Sequence, residues 1–369
     1  MHFLVPTGIF HPEAGGPATY LYHFLPELLA RGHTASVITF SDDPGGDYPC
    51  PVTRIPRTNI IQRNVAYYRA VRRELPGADV VFVNSLGIPL PRIRQPMVLK
   101  IVGDRAWERA INRGWIASDE DIDDFQTKNY GRLVNAIKNS RGREAQRADR
   151  IIVPSDYLRR MVMGWGVSDE RIRVIYNAFE AAAAVEKRPS RSELNLPEGP
   201  LLLVAARLTA WKGVDALIHA LADLPDIHLI VAGTGPEFDS LQRLARDLGE
   251  RVRFLGNVPH DELRRYYAAA DYTVLYSGYE GLSHVILESL NAGTPVIASD
   301  KCGNPEVVID GENGLLVPYK DVDVLKSALE RAFSGDTAQR LRAGASIDPD
   351  RFAWARLVEQ TISILENPR

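Results

Sequence analysis

The chain has 369 residues, of which 45% are hydrophobic and 25% charged, and its formal net charge is -3. This composition excludes a disordered or fibrous chain, and the length exceeds the usual size of one domain, so we predict two globular domains. A nearly neutral total charge gives no electrostatic argument for binding nucleic acid, and we predict no such partner.

Cysteine usage and the N-terminus bear on the compartment. Cys50 and Cys302 stand far apart and outside any metal-ligand spacing, so a reducing cytosol is the default. The N-terminal residues lack the basic start of a signal peptide, and no apolar run approaches the roughly 20 residues that span a bilayer. We expect a cytoplasmic protein and leave peripheral contact with the inner membrane surface open.

The first half of the chain alternates short apolar runs with helical patterns. The run HFLVP is followed by a helical pattern from about Thr19 to Arg31, which ends at Gly32, and then by TASVITF. Further strand-like runs are DVVFVNS, MVLKIVG and RIIVPS. Continuous apolar strands that alternate with helices predict a parallel sheet covered on both faces.

The second half repeats this alternation. LLLVAAR precedes a helix whose apolar residues share one face, and IHLIVAG follows it. We predict another helix through Leu241 and Leu248, and strands at RVRFLG, DYTVLYS, TPVIAS and GLLVP. The fold class is therefore α/β, with two Rossmann-like, doubly wound domains that face each other across a cleft and bind ligands at the carboxyl ends of their strands.

Composition predicts the domain boundaries. Residues 181–199 have no sustained apolar period and contain Pro189 and Pro197, so we predict a linker there. Residues 1–180 then form the N-terminal domain and residues 200–350 the C-terminal domain. The amphipathic segment 351–369 is predicted to be a terminal helix that packs back on the N-terminal domain.

Two cations follow the first strand of the second half. Arg207 ends LLLVAAR, and Lys212 comes five residues later, directly before the Gly213 that opens the next helix. A strand end beside a helix N-terminus suits a diphosphate, because free N–H groups and two cations can bind it together. Two surface cations at a loop are the commoner explanation of such a pair.

Two glutamates stand in the stretch YEGLSHVILESLNAGTPVIAS. Glu280 precedes a turn, and Glu288 lies about one and a half turns into the helix that begins near Ser283. Both carboxylates can face one ligand and accept hydroxyl groups of a ribose or hexose. The turn amides that can donate to sugar oxygens or phosphate belong to Gly281, Leu282 and Ser283. An ordinary helix with a solvent-facing glutamate matches the same spacing.

A longer series of motifs resembles a known family. From Val204 to Pro318 the chain is similar to the C-terminal domain of the retaining family 4 glycosyltransferases of the GT-B fold, the glycosyl transferases group 1. The motifs that carry this resemblance are AARLTAWKG, VAGTGPE, FLGNV, YEGLSHVILESLNAGTPVIAS and GENGLLV, in that order and spacing. Such an ordered series is far more specific than any one motif.

The resemblance implies a nucleotide-sugar donor domain in the C-terminal half and an acceptor domain in the N-terminal half. It implies that Arg207 and Lys212 bind the donor diphosphate, and that Glu288 binds the nucleotide ribose. Glu280 would contact the donor sugar. The residues that it places beside the nucleobase are Gly256, Asn257 and Val258.

The N-terminal half resembles the family more loosely, through AGGPATY and VIYNAFE. Gly15 and Gly16 fit a loop that approaches the donor phosphate or the acceptor, and a plain flexible turn fits them equally well. Many family members carry a His-Asp pair where this chain has Gly103 and Asp104. Asp104 stays a candidate for a sugar-facing catalytic role, while the contact made by the histidine is missing.

The implied enzyme is a retaining, metal-independent glycosyltransferase of the hexosyltransferase type. Its donor is a nucleotide diphosphate sugar, which is a co-substrate, so no cofactor is predicted; its acceptor is a glycan, a lipid-linked molecule or a small molecule. The predicted catalytic residues are Arg207, Lys212, Glu280 and Asp104. The alternatives are a nucleotide-sugar epimerase or phosphorylase of the same architecture, and a non-catalytic carbohydrate-binding protein. The sequence specifies neither the base, the sugar, the acceptor nor the oligomeric state.

Three further features have simpler explanations. The acids between Asp119 and Asp124 are expected to be a solvated helix start rather than a metal site. Two basic clusters, Lys138 to Arg150 and the arginines at 69, 72 and 73, favour solvated helix faces over a membrane-binding surface. Trp107 is the tryptophan we select as a sugar-stacking candidate, although burial is the commoner fate of tryptophan.

Overall fold

The computed structural model describes residues 1–13, 15–179 and 191–369, which divide into two compact units. Unit 1 comprises Met1–Ile116, Phe125–Tyr176 and Ala355–Arg369, and unit 2 comprises Ala117–Asp124 and Asn177–Trp354. Most of the predicted linker lies outside the described residues. Its described part begins with a 3-10 helix at Arg191–Leu194.

Unit 1 contains a seven-stranded sheet in which all neighbouring strands are parallel. The strands are β1 (His2–Pro6), β2 (Thr34–Phe40), β3 (Val52–Ile55), β4 (Val80–Val83), β5 (Met97–Lys100), β6 (Arg150–Val153) and β7 (Ile172–Val174). Their order is β3-β2-β1-β4-β5-β6-β7. The helices through this part of the chain are α1 (Gly16–Ala30), α2 (Ile60–Glu74), α3 (Arg105–Asn112), α4 (Ile122–Thr127), α5 (Arg132–Gln146) and α6 (Asp156–Gly164).

Unit 2 contains a six-stranded parallel sheet in the order β10-β9-β8-β11-β12-β13. These strands are β8 (Leu201–Ala205), β9 (His228–Ala232), β10 (Val252–Gly256), β11 (Tyr272–Leu275), β12 (Val296–Ser299) and β13 (Gly314–Val317). The helices from here to the end of the chain are α7 (Val214–Ala222), α8 (Phe238–Leu244), α9 (His260–Ala269), α10 (His284–Asn291), α11 (Val322–Ala332), α12 (Gly335–Gly344) and α13 (Trp354–Glu366). Two parallel sheets whose strands alternate with helices confirm the predicted α/β fold class.

Alternation along β8 shows why the sheet of unit 2 is covered on both faces. Leu202 and Val204 belong to a core cluster that includes residues of α7 and α11. Leu203 and Ala205 point the other way, into a cluster with residues of α9. Because successive side chains of a strand point to opposite faces, a continuously apolar strand needs helices on both sides.

The order of the strands locates the ligand-binding end of unit 2. The chain leaves β8 in one direction through β9 and β10, and in the other through β11, β12 and β13. In open parallel sheets, ligands bind at the carboxyl ends of the strands where the order reverses. In this sheet that point lies between β8 and β11, which pair through Leu203 and Thr273.

The terminal helix α13 packs in unit 1, as predicted. Leu357, Val358, Ile362 and Leu365 are buried. The Tyr20 hydroxyl in α1 hydrogen-bonds the Thr361 hydroxyl at 3.5 Å. Nowhere in the described ranges does a helix combine the length and apolar character that crossing a membrane requires.

Candidate active site

Lys212 and Glu280 meet at the point where the strand order of unit 2 reverses. Lys212 ends a 3-10 helix, Ala210–Lys212, in the loop after β8, and Glu280 lies in the loop after β11. The Lys212 ammonium forms an ion pair with the Glu280 carboxylate, and their side chains are 17% and 14% exposed. Two residues that stand 68 positions apart in sequence therefore form one charged pair that solvent still reaches.

Backbone contacts between the two loops create this pair. The Gly278 amide donates to the Trp211 carbonyl at 2.7 Å, next to Lys212. Gly213 follows with a φ of 62° and forms the N-cap of α7. A Cβ there would overlap the Tyr276 carbonyl oxygen, so both the left-handed conformation and the close approach require glycine.

The turn after Glu280 is braced from two directions. The Gly303 amide, in the loop after β12, donates to the Glu280 carbonyl at 3.1 Å. A Cβ at Gly303 would overlap the Gly281 carbonyl oxygen. The buried Asn177 side chain donates to the Leu282 carbonyl at 2.8 Å. Asn177 belongs to the VIYNAFE motif, but its role as a brace was not predicted.

The turn leads directly into the N-terminus of α10. Ser283 is the N-cap and accepts from the Ile286 amide at 3.5 Å. Within the described residues, no protein group accepts a hydrogen bond from the amides that precede the helix, those of Gly281, Leu282 and Ser283. These amides and the helix dipole form a set of donors suited to an anion or sugar oxygens.

Glu288 has a different partner from Glu280. Its carboxylate Oε1 lies 3.0 Å from His260 Nε2, and its side chain is 21% exposed. His260 is the first residue of α9. Hydrogen bonding to Glu288 raises the pKa of His260, with the charge of Glu288 adding to it and burial opposing it. Sequence reasoning missed His260, although it lies directly after the segment predicted to contact the nucleobase.

Glycines allow the backbones of the loops after β8, β9 and β10 to approach one another closely. The Gly233 amide donates to the Gly256 carbonyl at 2.7 Å, and a Cβ at Gly233 would overlap the Ala206 carbonyl oxygen. Arg207 follows Ala206 and is exposed, with no ion-pair partner within the described ranges. Asn257 is also exposed, and no atom of the described residues lies within 4 Å of the position that a Cβ of Gly256 would take.

Gly15 and Gly16 lie in unit 1 at the start of α1. Gly15 is the N-cap, with a φ of 152°, and a Cβ there would lie 2.8 Å from the Ile9 side chain. At Gly16, none of the described atoms lies within 4 Å of the corresponding position. The two glycines follow β1, next to the reversal of strand order between β1 and β4. Their contacts with donor or acceptor stay a prediction.

Asp104 requires a correction. Its side chain is fully buried, caps α3 by accepting from the Ala106 amide at 3.0 Å, and is ion-paired with Arg141. Gln126 donates to the same carboxylate at 2.9 Å. A carboxylate enclosed in this way has no surface to offer a sugar, so Asp104 supports the fold instead. Trp107 is 1% exposed and is likewise a core residue, not a sugar platform.

Two of the charged clusters noted in the sequence make contacts within the protein. Lys138 donates to the carbonyl groups of Phe125 and Lys128, and Arg141 is buried, so much of the Lys138 to Arg150 cluster is used internally. Asp121 accepts from the Asp123 amide at 2.8 Å, as a helix start should.

Asp121 has a second partner that the sequence did not predict. Lys301, in the same loop as Gly303, pairs with Asp121 at 3.0 Å. Burial opposes ionisation, but hydrogen bonds from Lys301 and from the Asp123 amide lower the pKa of Asp121. The acidic segment is therefore attached to the loop that braces the turn after Glu280.

Comparison with known proteins decides the family. Residues 186–346 match the family model of the glycosyl transferases group 1, and residues 14–182 match glycosyltransferase family 4. A D-inositol 3-phosphate glycosyltransferase of Mycolicibacterium gilvum (strain PYR-GCK) is 32% identical over 382 residues, which cover 95% of this chain and 84% of that protein. The chain belongs to the group 1 glycosyltransferases.

One further relative and two solved structures are also similar to this chain. The lipopolysaccharide core biosynthesis glycosyltransferase LpsE of Rhizobium meliloti (strain 1021) is 38% identical over 183 residues, covering 49% of this chain and 52% of that protein. Sucrose-phosphate synthase from Thermosynechococcus elongatus has a TM-score of 0.80 at 22% identity, covering 100% of this chain and 99% of that chain. Anabaena HepE in complex with UDP has a TM-score of 0.75 at 21% identity, with 100% of both chains covered. The structures confirm the GT-B fold, and the family confirms the predicted enzyme, a glycosyltransferase of the hexosyltransferase type.

Proposed function

We propose that this group 1 glycosyltransferase transfers a hexosyl group from a nucleoside diphosphate sugar to an acceptor hydroxyl, with retention of the anomeric configuration and without a divalent metal. The Lys212–Glu280 pair, placed between β8 and β11, is the observation that carries the proposal. Retention and metal independence rest on the family resemblance. The complex of Anabaena HepE with UDP supports a nucleotide donor, since that protein has the same fold.

The charges of the Lys212–Glu280 pair suit a site that binds a nucleoside diphosphate sugar and then releases the nucleoside diphosphate. An entering donor offers phosphate oxygens to Lys212 in place of Glu280, and the released carboxylate can then accept hydroxyl groups of the sugar. Arg207, exposed in the same loop, adds a second cation. During transfer the bond between the anomeric carbon and the diphosphate breaks, so negative charge develops on the phosphate oxygen beside these cations.

Retention also requires that the acceptor hydroxyl approach the anomeric carbon from the same face of the sugar as the leaving diphosphate. The acceptor oxygen bonds to the anomeric carbon, and its proton passes to the leaving phosphate oxygen, so this scheme needs no protein nucleophile. The free amides of the turn before α10 would add hydrogen bonds to the sugar or the diphosphate. Glu288 would bind the ribose, with the nucleobase beside Gly256, Asn257 and Val258.

Thermal unfolding with nucleotides tests the donor class. We expect one of UDP, GDP and ADP, or its hexose conjugate, to raise the Tm of the full chain by several degrees, because a ligand at 100 times its Kd stabilises the folded state by about 2.7 kcal/mol. Inorganic pyrophosphate should stabilise less, since it lacks the ribose. If none of the three nucleotides or their hexose conjugates shifts the Tm, the donor site is misassigned. Formation of an epimerised nucleotide sugar would favour the epimerase alternative.

We also propose that α2, in unit 1, contacts an anionic membrane surface that presents the acceptor. Its outer face bears Ile61, Val65 and Tyr68, which are 73%, 43% and 39% exposed, at helical spacing. Arg69 and Arg72 are exposed beside them. Apolar side chains flanked by arginines form the pattern of a helix that lies in a lipid interface. We propose with it that the protein is cytoplasmic and lies at the inner membrane surface.

Vesicle binding tests the membrane contact. We expect the variant with both Arg69→Gln and Arg72→Gln to bind phosphatidylglycerol-containing vesicles about 30-fold more weakly than wild type, because each cation contributes about 1 kcal/mol near such a surface. The control carries Arg160→Gln and Arg356→Gln, two exposed arginines elsewhere in unit 1. Equal sedimentation of both variants with these vesicles, or no sedimentation of wild type, would contradict the proposal.

A further inference from the structure

The Glu288 carboxylate lies between α9 and α10. His260 Nε2 is 3.0 Å from one carboxylate oxygen, and the His260 side chain is 55% exposed whereas that of Glu288 is 21% exposed. Tyr267, also on α9, is fully buried. Its pKa is well above the ordinary value, first because of burial and then because of the charge of Glu288. His260 and Tyr267, both on α9, therefore interact with the charge of Glu288.

Few charged groups act on the imidazole. Glu288 is the charge from the neighbouring helix, while Arg264 and Asp261 belong to the same helix as His260. Hydrogen bonding to Glu288 is the largest contribution and raises the pKa of His260, burial and Arg264 oppose it, and Asp261 adds to it. Nε2–H donates to the carboxylate in the neutral Nε2 tautomer as well as in the imidazolium, so the hydrogen bond persists in both states.

We propose that His260 is a positioning residue, which fixes the Glu288 carboxylate for the ribose of the donor and makes donor binding weaken in acid. The inference rests on the proposed function, since it assigns the ribose to Glu288. The hydrogen bond occupies Oε1 and limits the rotation of the carboxylate. The orientation of the second oxygen, Oε2, is thereby fixed as well. A ribose hydroxyl then meets an acceptor that is already oriented.

The direction of the pH effect rests on competition between the imidazolium and the ribose for the negative charge of Glu288. Because the pKa of His260 is raised above its ordinary value, the imidazolium forms as pH falls through that raised pKa. The positive charge of the imidazolium partly neutralises the Glu288 carboxylate, so the carboxylate becomes a weaker hydrogen-bond acceptor for the ribose. Donor affinity is therefore full above the pKa of His260 and falls below it.

Calorimetric titration of the full chain tests the inference, with whichever of UDP, GDP and ADP binds wild type most tightly. At pH 7.5 we expect His260→Ala to bind about three- to tenfold more weakly than wild type. His260→Gln keeps an amide donor at the position of Nε2, so it should bind nearly as wild type does. Between pH 7.5 and pH 6, wild type should lose about threefold in affinity beyond any loss shown by His260→Gln.

Two controls separate positioning from direct contact. His219→Gln changes an exposed histidine on α7 and should keep the pH profile of wild type. In a Glu288→Gln background, His260→Ala should add little further loss, because its effect acts through Glu288. An additive loss in that background would mean that His260 contacts the nucleotide itself, and would overturn the positioning role.

The outcomes also distinguish this inference from the proposed function. If His260→Gln keeps the same acid loss as wild type while nucleotide still binds, the inference fails and the donor site stands. If wild type binds no nucleotide at either pH, the donor site itself fails, and the role of His260 fails with it.

Discussion

Replacing Lys212 with alanine is expected to lower kcat/KM for sugar transfer about 10²- to 10³-fold while the chain stays folded. Lys212 lies in the loop at the carboxyl end of β8, where its ammonium pairs with Glu280. Charge that develops on the leaving diphosphate needs a cation already in place, and loss of one such preorganised group typically costs this much in rate. Initial rates with the nucleotide sugar identified by thermal unfolding provide the measurement.

The matched control is Lys326→Ala. Lys326 also forms an ion pair, with Asp223 at 2.8 Å, but this pair lies on an exposed surface of unit 2. Removing it should leave kcat/KM within about twofold of wild type, because exposed ion pairs contribute little. Equal activity of wild type and Lys212→Ala would contradict the site assignment, whereas a parallel loss in both variants would indicate a general effect of charge.

The buried strands of both sheets could be predicted from the sequence because each is an unbroken apolar run between turn signals. The edge strands β3 and β7 could not. β3 is four residues long with three of them half-buried, and β7 is three residues long with one buried. A strand with a neighbour on one side only can be short and partly polar, so it lacks the apolar pattern that identifies a central strand.

One predicted helix is interrupted. The apolar spacing through Leu241 and Leu248 indicates a single helix, but α8 ends at Leu244 and a 3-10 segment, Arg246–Arg251, follows. Gly249 within that segment has a φ of 57°, a left-handed conformation that glycine adopts readily. The apolar period shows which residues face the core, and the residues of both segments fit that period. Gly249 is therefore the one sequence signal of the break.

The candidate site was predicted unevenly for a physical reason. Motifs identify Lys212 and Glu280, but each acquires its partner through packing between the loops of β8 and β11, which sequence spacing does not encode. His260 and Asn177 were missed for the same reason. Asp104 had a local signal that was not used: aspartate directly before a helical pattern is a preferred N-cap, and this role competes with any contact to substrate.

Asp104→Ala is expected to destabilise the protein by about 3–5 kcal/mol. The substitution leaves the buried Arg141 without its counter-charge, and truncating one partner of a buried pair typically costs this much. It also removes the cap of α3 and the acceptor for Gln126. Scanning calorimetry of the full chain should show a lower Tm for the transition that contains unit 1.

Two further variants separate the contributions. Asp104→Asn keeps an oxygen that can cap α3 but removes the charge, so its Tm should lie between those of wild type and Asp104→Ala. Asp169→Ala breaks the Arg159–Asp169 pair, in which the Asp169 side chain is 46% exposed, and should leave the Tm close to that of wild type, because exposed ion pairs contribute little. An Asp104→Ala protein with the Tm of wild type but little transferase activity would restore the sugar-facing role. A low Tm with near-normal kcat/KM at a temperature where the variant stays folded would establish that Asp104 acts through the fold.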